Sequence, residues 1–511
     1  MKPHQTLSRR DFLKLVSFVS LTQFVKPLSK TTRLVNDSPV PNVIILVFDA
    51  WSADHVQFYG YPRRTMPNLE RFLEKATVFH NHYSAGTFTV PGTASLLTGL
   101  YPWTHRALSL GSSGVIDSQV AHQVFNVFSN THSTQAYSQN RFADILLFQF
   151  AKYLDTHLKS YGFDLEHRSL YNSKLFENDS KIAFASLEDN LLLDGARNSS
   201  SLFINPLYRL WWMNVEKNRA LRSANDYPLG LPNDTGQFLL SDLVDGAIRT
   251  LSKLEEPGFA YYHFYPPHQN YCPERKFYGL FDDGWLAPEK PTHRLSSGKL
   301  SYSILSQLNQ YYDEYLASWD AEVSRLFQYL QSSGLFDRSY VVVTADHGEL
   351  NERGEEGHFT PLIYNPLIHI PLIIFQPGQK QREDIFAYTN SVDVLLTLAR
   401  WIGNPIPPWA EGELLPGFGG VDDPQRSLYS MDAKTNSSFA PLTRTSISLT
   451  KNQWRLTYYD YPMDQQFELY NLDEDREELN DLYPSHQAAA RRMKDELLQK
   501  LDEVNQPFAS D

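Results

Sequence analysis

Asp49, Thr89, Asp346 and His347 are the residues of this 511-residue chain whose types and settings could do chemistry together. Two carboxylates and an imidazole make a donor set for a divalent cation, either the borderline Zn²⁺ or the harder Mn²⁺, Mg²⁺ or Ca²⁺. A hydroxyl held against such a cation is acidified and becomes a nucleophile at neutral pH, and Thr89 would add its oxygen to the set in that role. Thr89 is followed by Val90-Pro91-Gly92-Thr93-Ala94-Ser95, the small-residue start of a helix with proline in its first turn. Free backbone N–H groups and the helix dipole favour an anionic group at such a position. Taken singly, each residue has a plainer meaning: an Asp at a strand end is often a turn former or cap, and a lone Thr is structural. Their combination is what points to a site.

These residues need elements to position them. Asn42-Val43-Ile44-Ile45-Leu46-Val47-Phe48 is a continuous apolar run, the pattern of a strand buried on both faces of a parallel sheet, and it stops at Asp49. A second run, Tyr340-Val341-Val342-Val343-Thr344, leads to Asp346-His347, and a third, residues 259–265, ends at Pro266-Pro267-His268. Open α/β sheets place ligands just past such strand ends. Helical stripes separate the strands: Leu69, Phe72 and Leu73; then Leu316, Trp319, Val323, Leu326, Phe327 and Leu330; then residues 391–400. The alternation predicts an α/β fold, a doubly wound, mostly parallel sheet flanked by helices, over residues 38–403. Residues 105–250 have no clear place in that sheet. A Pro- and Gly-rich stretch from 404 to 420 leads to a smaller C-terminal α+β unit, 404–511, with strands near 446–449, 453–459 and 467–472 and a helix over 486–504.

Composition narrows the partners. A net charge of −13 argues against nucleic acid, whose phosphates call for basic surfaces. The single cysteine, Cys272, excludes an internal disulfide and a Cys-rich zinc site. At the N-terminus, Ser8-Arg9-Arg10-Asp11-Phe12-Leu13-Lys14 matches the twin-arginine export pattern and precedes an apolar stretch from 15 to 25. Ser17, Ser20, Thr22 and Gln23 make that stretch too short and polar for a membrane span. Residues 1–30 are therefore expected to be an export signal, giving a periplasmic or extracellular protein that meets the membrane only through that signal.

The motifs extend well beyond four residues. Residues 42–51, Tyr59-Gly60, Thr65-Met66-Pro67-Asn68-Leu69, residues 89–102, Thr344-Ala345-Asp346-His347-Gly348-Glu349 and Phe467-Glu468-Leu469-Tyr470-Asn471-Leu472 together resemble the sulfatase branch of the alkaline-phosphatase superfamily. The resemblance implies one divalent metal and an anionic ester substrate carried on a glycan or lipid head group. It also implies that His268, in Pro266-Pro267-His268, contacts the ester's oxygens, and that His358 stands where sulfatases often place a lysine. An imidazole there could protonate a leaving alkoxide. His105 and Asn140 are further candidates.

Departures from the family pattern shift the expected reaction. Sulfatases carry Cys or Ser at the position of Thr89 and oxidise it to formylglycine; a threonine, with a methyl on its β-carbon, cannot give that aldehyde. Formylglycine is therefore not expected. Ala50 replaces a second Asp, and Thr93 replaces an arginine. What remains is similar to relatives that act on phosphate diesters, where the threonine itself attacks phosphorus. The expected function is a metal-dependent hydrolase or transferase of sulfate or phosphate esters, with diesters favoured. The alternatives are a sulfuric ester hydrolase working without formylglycine and a non-catalytic, ligand-binding relative.

Overall fold

The computed structural model describes residues 40–508, apart from 111–113, 164–213, 216, 235 and 462–463. The twin-arginine-like segment lies outside the described residues, as does 164–213 of the stretch that the sequence left unplaced.

Eight strands form one sheet: β1 (Asn42–Phe48), β2 (Thr77–Tyr83), β3 (Ser133–Ser138), β4 (Thr156–Leu158), β5 (Gly258–Phe264), β6 (Ser339–Thr344), β7 (Leu372–Phe375) and β8 (Glu383–Asn390). Their order is β4-β3-β5-β1-β6-β7-β2-β8. The neighbours pair in parallel except at β7, which runs antiparallel to both β6 and β2. The fold is thus the expected doubly wound, mostly parallel sheet, with one inverted strand.

All seven residues of β1 are buried, which explains the unbroken apolar run. Ile44, Leu46 and Phe48 face one layer, packing with Trp319 and Val323 of the helix Tyr302–Ser332 and Leu243 of the helix Leu240–Leu251. Val43, Ile45 and Val47 face the other, with Ala94 and Leu97 of the helix Thr89–Thr98 and Leu395 and Leu398 of the helix Asp393–Trp401. The period-two alternation of side chains along the strand thus builds two cores from one segment.

Residues 105–250, left outside the sheet by the sequence, contribute β3 and β4 at one edge. The sequence of β3, Ser133-Thr134-Gln135-Ala136-Tyr137-Ser138, hides it, because a half-polar strand lacks the apolar run that marked β1, β5 and β6. The strands β2 and β8 were hidden the same way. Their polar residues are satisfied across the ladder, as in His82 Nδ1 with Thr389 Oγ1 at 2.9 Å and His80 Nε2 with Asp384 Oδ1 at 2.7 Å.

A second, antiparallel sheet has the order β12-β11-β10-β9, from β9 (Leu428–Asp432), β10 (Ser446–Lys451), β11 (Trp454–Tyr461) and β12 (Asp464–Asn471). The helix Gln487–Asn505 lays Ala490, Met493, Leu497 and Leu501 on it. β9 is stitched to the segment leading to Thr89: Met431 N donates to Ala85 O at 2.9 Å and Ser430 Oγ to Ser84 O at 2.5 Å.

Candidate active site

Three adjacent strands, β5, β1 and β6, end side by side, in the register Val47↔His263 and Val47↔Thr344. Asp49 therefore emerges one residue past β1 and Asp346 two residues past β6, at the carboxyl edge where such sheets place ligands. Both carboxylates, together with His347 and His263, are fully buried.

Thr89 reaches this edge because its helix packs tightly on the Asp346 backbone. A Cβ on Gly92 would lie 2.2 Å from the Asp346 carbonyl oxygen, so only glycine permits the approach. From the other side, Ser84 Oγ donates to that same carbonyl at 2.5 Å. Thr89 is the first residue of the helix, and Phe88, its extended N-cap, makes no side-chain cap. The Thr89 hydroxyl then stands 3.4 Å from His347 Nε2 and accepts from Asn140 Nδ2 at 3.3 Å. Asn140 also donates to Asp49 Oδ2 at 2.6 Å, while its own Oδ1 caps the helix Arg141–Gln149 by accepting from Phe142 N at 2.8 Å.

Around this centre, His347 Nε2 is 3.5 Å from Asp49 Oδ1 and 3.6 Å from Asp346 Oδ2. Its Nδ1 is fixed by the Gly348 carbonyl at 2.7 Å. His358 packs its ring on His347 with centroids 4.4 Å apart, and His268 packs on His358 at 4.6 Å. Glu349 Oε1 holds His358 Nδ1 at 2.9 Å. The structure thus brings together Asp49, Thr89, Asp346 and His347, places His268 and His358 beside them, and includes Asn140.

His105 is a correction. It lies in the core, paired with Ser95 Oγ at 3.0 Å and accepting from Ala107 N at 3.0 Å. Burial pushes its imidazole down to about 3, so it stays neutral and structural.

His263 and Glu349 had no assigned role in the sequence. A lone histidine inside the buried run of β5 was the available signal for His263. It became legible only when β5 paired with β1.

A sequence profile of the sulfatase family matches residues 41–404. The chain belongs to the sulfatase family. It is 23% identical over 435 residues to the multifunctional alkaline phosphatase superfamily protein PehA of Trinickia caryophylli, covering 74% of this chain and 76% of that protein. It is 22% identical over 479 residues to a choline-sulfatase of Rhizobium meliloti, covering 86% and 82%. The fold is similar to that of a phosphonate monoester hydrolase of Agrobacterium radiobacter, with a TM-score of 0.65 at 18% identity over 91% of this chain and 96% of that one.

In this sulfatase-family protein the electrostatics of the centre fit a divalent cation. Ligand atoms of Asp49, Asp346 and His347 lie within 4.8 Å of one another, and the buried Asp49 Oδ1 has no hydrogen-bond partner. Burial and the neighbouring Asp49 charge push the Asp346 carboxyl well above its usual range. Asp49 is pulled the other way: burial would raise it, but His268, His263 and His347 outweigh burial and hold it low. Two desolvated carboxylates with opposed tendencies are what a bound cation would neutralise together. Burial and His358 push His347 down, keeping it the neutral imidazole that a ligand must be. Burial would lower His358 too, but Glu349 reverses the shift and raises it.

Proposed function

We propose that this sulfatase-family hydrolase cleaves phosphate diesters and related esters with the Thr89 hydroxyl as covalent nucleophile. The observation that carries this reading is the position of Thr89 Oγ1, at a helix start and within reach of both His347 Nε2 and Asn140 Nδ2. Asp49, Asp346 and His347 would hold one divalent cation, which would lower the pKa of the hydroxyl and neutralise charge on the ester. Asn140 orients Thr89 by donating to it. The Thr89 hydroxyl loses its proton to solvent and its oxygen attacks phosphorus, the bond from phosphorus to the leaving oxygen breaks, and a phospho-threonine ester forms; water or an acceptor alcohol then gives up a proton and attacks phosphorus, the bond to Thr89 Oγ1 breaks, and that oxygen is reprotonated. His358, held by Glu349, supplies the proton to the departing oxygen, and His268 shares that pocket. The PehA protein and the phosphonate monoester hydrolase support phosphoryl-type substrates, whereas the choline-sulfatase supports a sulfate ester as the second reading.

Replacing Thr89 by Ala is expected to abolish turnover while leaving thermal unfolding unchanged. Mass spectrometry of the wild type, quenched with a phosphodiester, should show a phosphoryl adduct on the peptide holding Thr89. A clear preference for aryl sulfate in a panel of sulfates, phosphodiesters and phosphonates would favour the sulfatase reading instead. Export by the twin-arginine route is part of the proposal. Substituting Lys for both Arg9 and Arg10 should then retain the protein in the cytoplasm.

A further inference from the structure

Phe359, the residue after His358, is 53% exposed. Single exposed apolar residues are ordinary and by themselves mean nothing. What sets this one apart is its company. Its ring meets that of Phe88, the residue before Thr89, edge to face with centroids 5.8 Å apart. Phe88 is buried and anchors that contact in the core. On the other side, His358 packs on His347 at 4.4 Å. Phe359 thus touches the neighbour of the proposed nucleophile and is joined in the chain to the proposed acid. An alcohol leaving with a proton from His358 departs beside this half-uncovered aromatic side chain.

A third neighbour decides what the ring accepts. Lys434 Nζ lies over it, 5.1 Å from its centre, held by the Thr360 carbonyl at 2.8 Å and Asp432 at 2.7 Å. A free aromatic face attracts ammonium groups. Here one ammonium already fills that role, and a second beside it meets like charge. What the ring still offers is flat apolar contact, of the kind that aromatic pairs make by stacking.

We infer that Phe359 selects the leaving alcohol of the ester. It favours one with a flat, apolar ring face, aryl or pyranosyl, and with Lys434 it disfavours cationic alcohols such as choline. The inference rests on the reading that His358 protonates the departing oxygen, which is what puts the leaving group next to Phe359.

The test is a panel of diesters that keep one phosphate and vary the alcohol among phenol, a pyranose, methanol and choline. The kcat/KM of Phe359→Ala is divided by that of the wild type for each ester, which cancels the intrinsic reactivity of the leaving group. That ratio should fall about two- to tenfold on a ring-bearing ester and stay near one on the methyl ester. Loss on the phenyl ester alone assigns an aryl alcohol, and loss on the pyranosyl ester alone a sugar. Phe359→Leu, which keeps apolar bulk without a flat face, should behave like the Ala variant. Lys434→Met should improve the choline ester relative to the methyl ester, and an unchanged ratio would overturn the part given to Lys434. An equal loss on all esters, or no loss on either ring ester, would overturn the role of Phe359. The acid is read separately: His358→Gln should slow the methyl ester more than the phenyl ester, whose alcohol leaves with less help. A uniform effect of His358→Gln removes the proposed acid, whereas a uniform effect of Phe359→Ala removes only this inference. If turnover is confined to sulfates, the same alcohols are compared as sulfate esters, and a wild type inactive on every ester removes both readings.

Discussion

Gly92 and the Asp346 carbonyl approach so closely that a Cβ on Gly92 would stand 2.2 Å from the oxygen. That contact sets how far the helix Thr89–Thr98 can descend onto the end of β6, and so where the Thr89 hydroxyl sits. In a helix interior Ala is worth roughly 0.5–1 kcal/mol over Gly, but overpacking a rigid contact costs roughly 1–3 kcal/mol. The second effect wins. Gly92→Ala is expected to lower thermal stability and to cut kcat by displacing Thr89. A gain in melting temperature with unaltered kcat would show that the contact is soft.

Asn140 has two duties on one amide. Its Oδ1 caps the helix Arg141–Gln149, which leaves its Nδ2 facing Asp49 and Thr89. Asn140→Ser keeps a capping oxygen and removes the longer amide N–H that reaches Asp49 and Thr89, so the melting temperature should hold while kcat falls. Loss of a single preorganised donor costs about 10²–10³ in kcat elsewhere. Asn140→Ala should add the loss of the cap, about 1 kcal/mol. Equal kcat in wild type and the Ser variant would remove Asn140 from the proposed mechanism.

Lys434 stands beside the site from the second sheet. Its ammonium donates to the Thr360 carbonyl at 2.8 Å and to Asp432 at 2.7 Å, and lies 5.1 Å from the centre of the Phe359 ring. It is near enough to His358 to oppose a positive charge on that imidazole, which makes it a candidate contact for an anionic ester there. Lys434→Met should raise KM several-fold with little change in kcat, the pattern of a binding contact equally strong in ground and transition states. Steady-state kinetics on a diester decides it.

Asp54 ties the segment after β1 to the C-terminal part of the chain, through His369 Nδ1 at 2.9 Å and Arg476 Nη2 at 3.2 Å. Burial would raise its carboxyl, but His369 and Arg476 outweigh burial and hold it well below the usual range. A depressed carboxyl contributes stability that is full above its unfolded pKa of about 3.9 and is lost as pH falls toward the folded value. Thermal unfolding should therefore show a larger loss between neutral pH and about pH 3 for the wild type than for Asp54→Asn. Parallel curves for the two proteins would contradict the assignment.

Much of this architecture could be read in advance, for a physical reason. Strands buried on both faces must be apolar throughout, so β1, β5 and β6 announced themselves, and the polar residues that ended them marked the functional edge. The half-polar strands β2, β3, β4 and β8 carried no such mark, because what satisfies His80, His82 and Thr389 lies on a neighbouring strand. The reversed direction of β7 was equally silent, since a short apolar run reads the same parallel or antiparallel.

Residue order alone pointed to the family, to Thr89 and to Asp49, Asp346 and His347, because each lies in a local motif whose spacing does not depend on the rest of the chain. Tertiary structure decided which histidines matter. His105, next to the helix Thr89–Thr98 in sequence, pairs with Ser95 in the core. His263, one residue of the run that leads to Pro266-Pro267-His268 and given no role there, lies 3.1 Å from Asp49 and 3.6 Å from Asp346. The placing of His105 follows from the turn that folds the helix Pro102–His105 back on the helix Thr89–Thr98, and that of His263 from which strands become neighbours in the sheet, a long-range pairing that no local run of residues encodes.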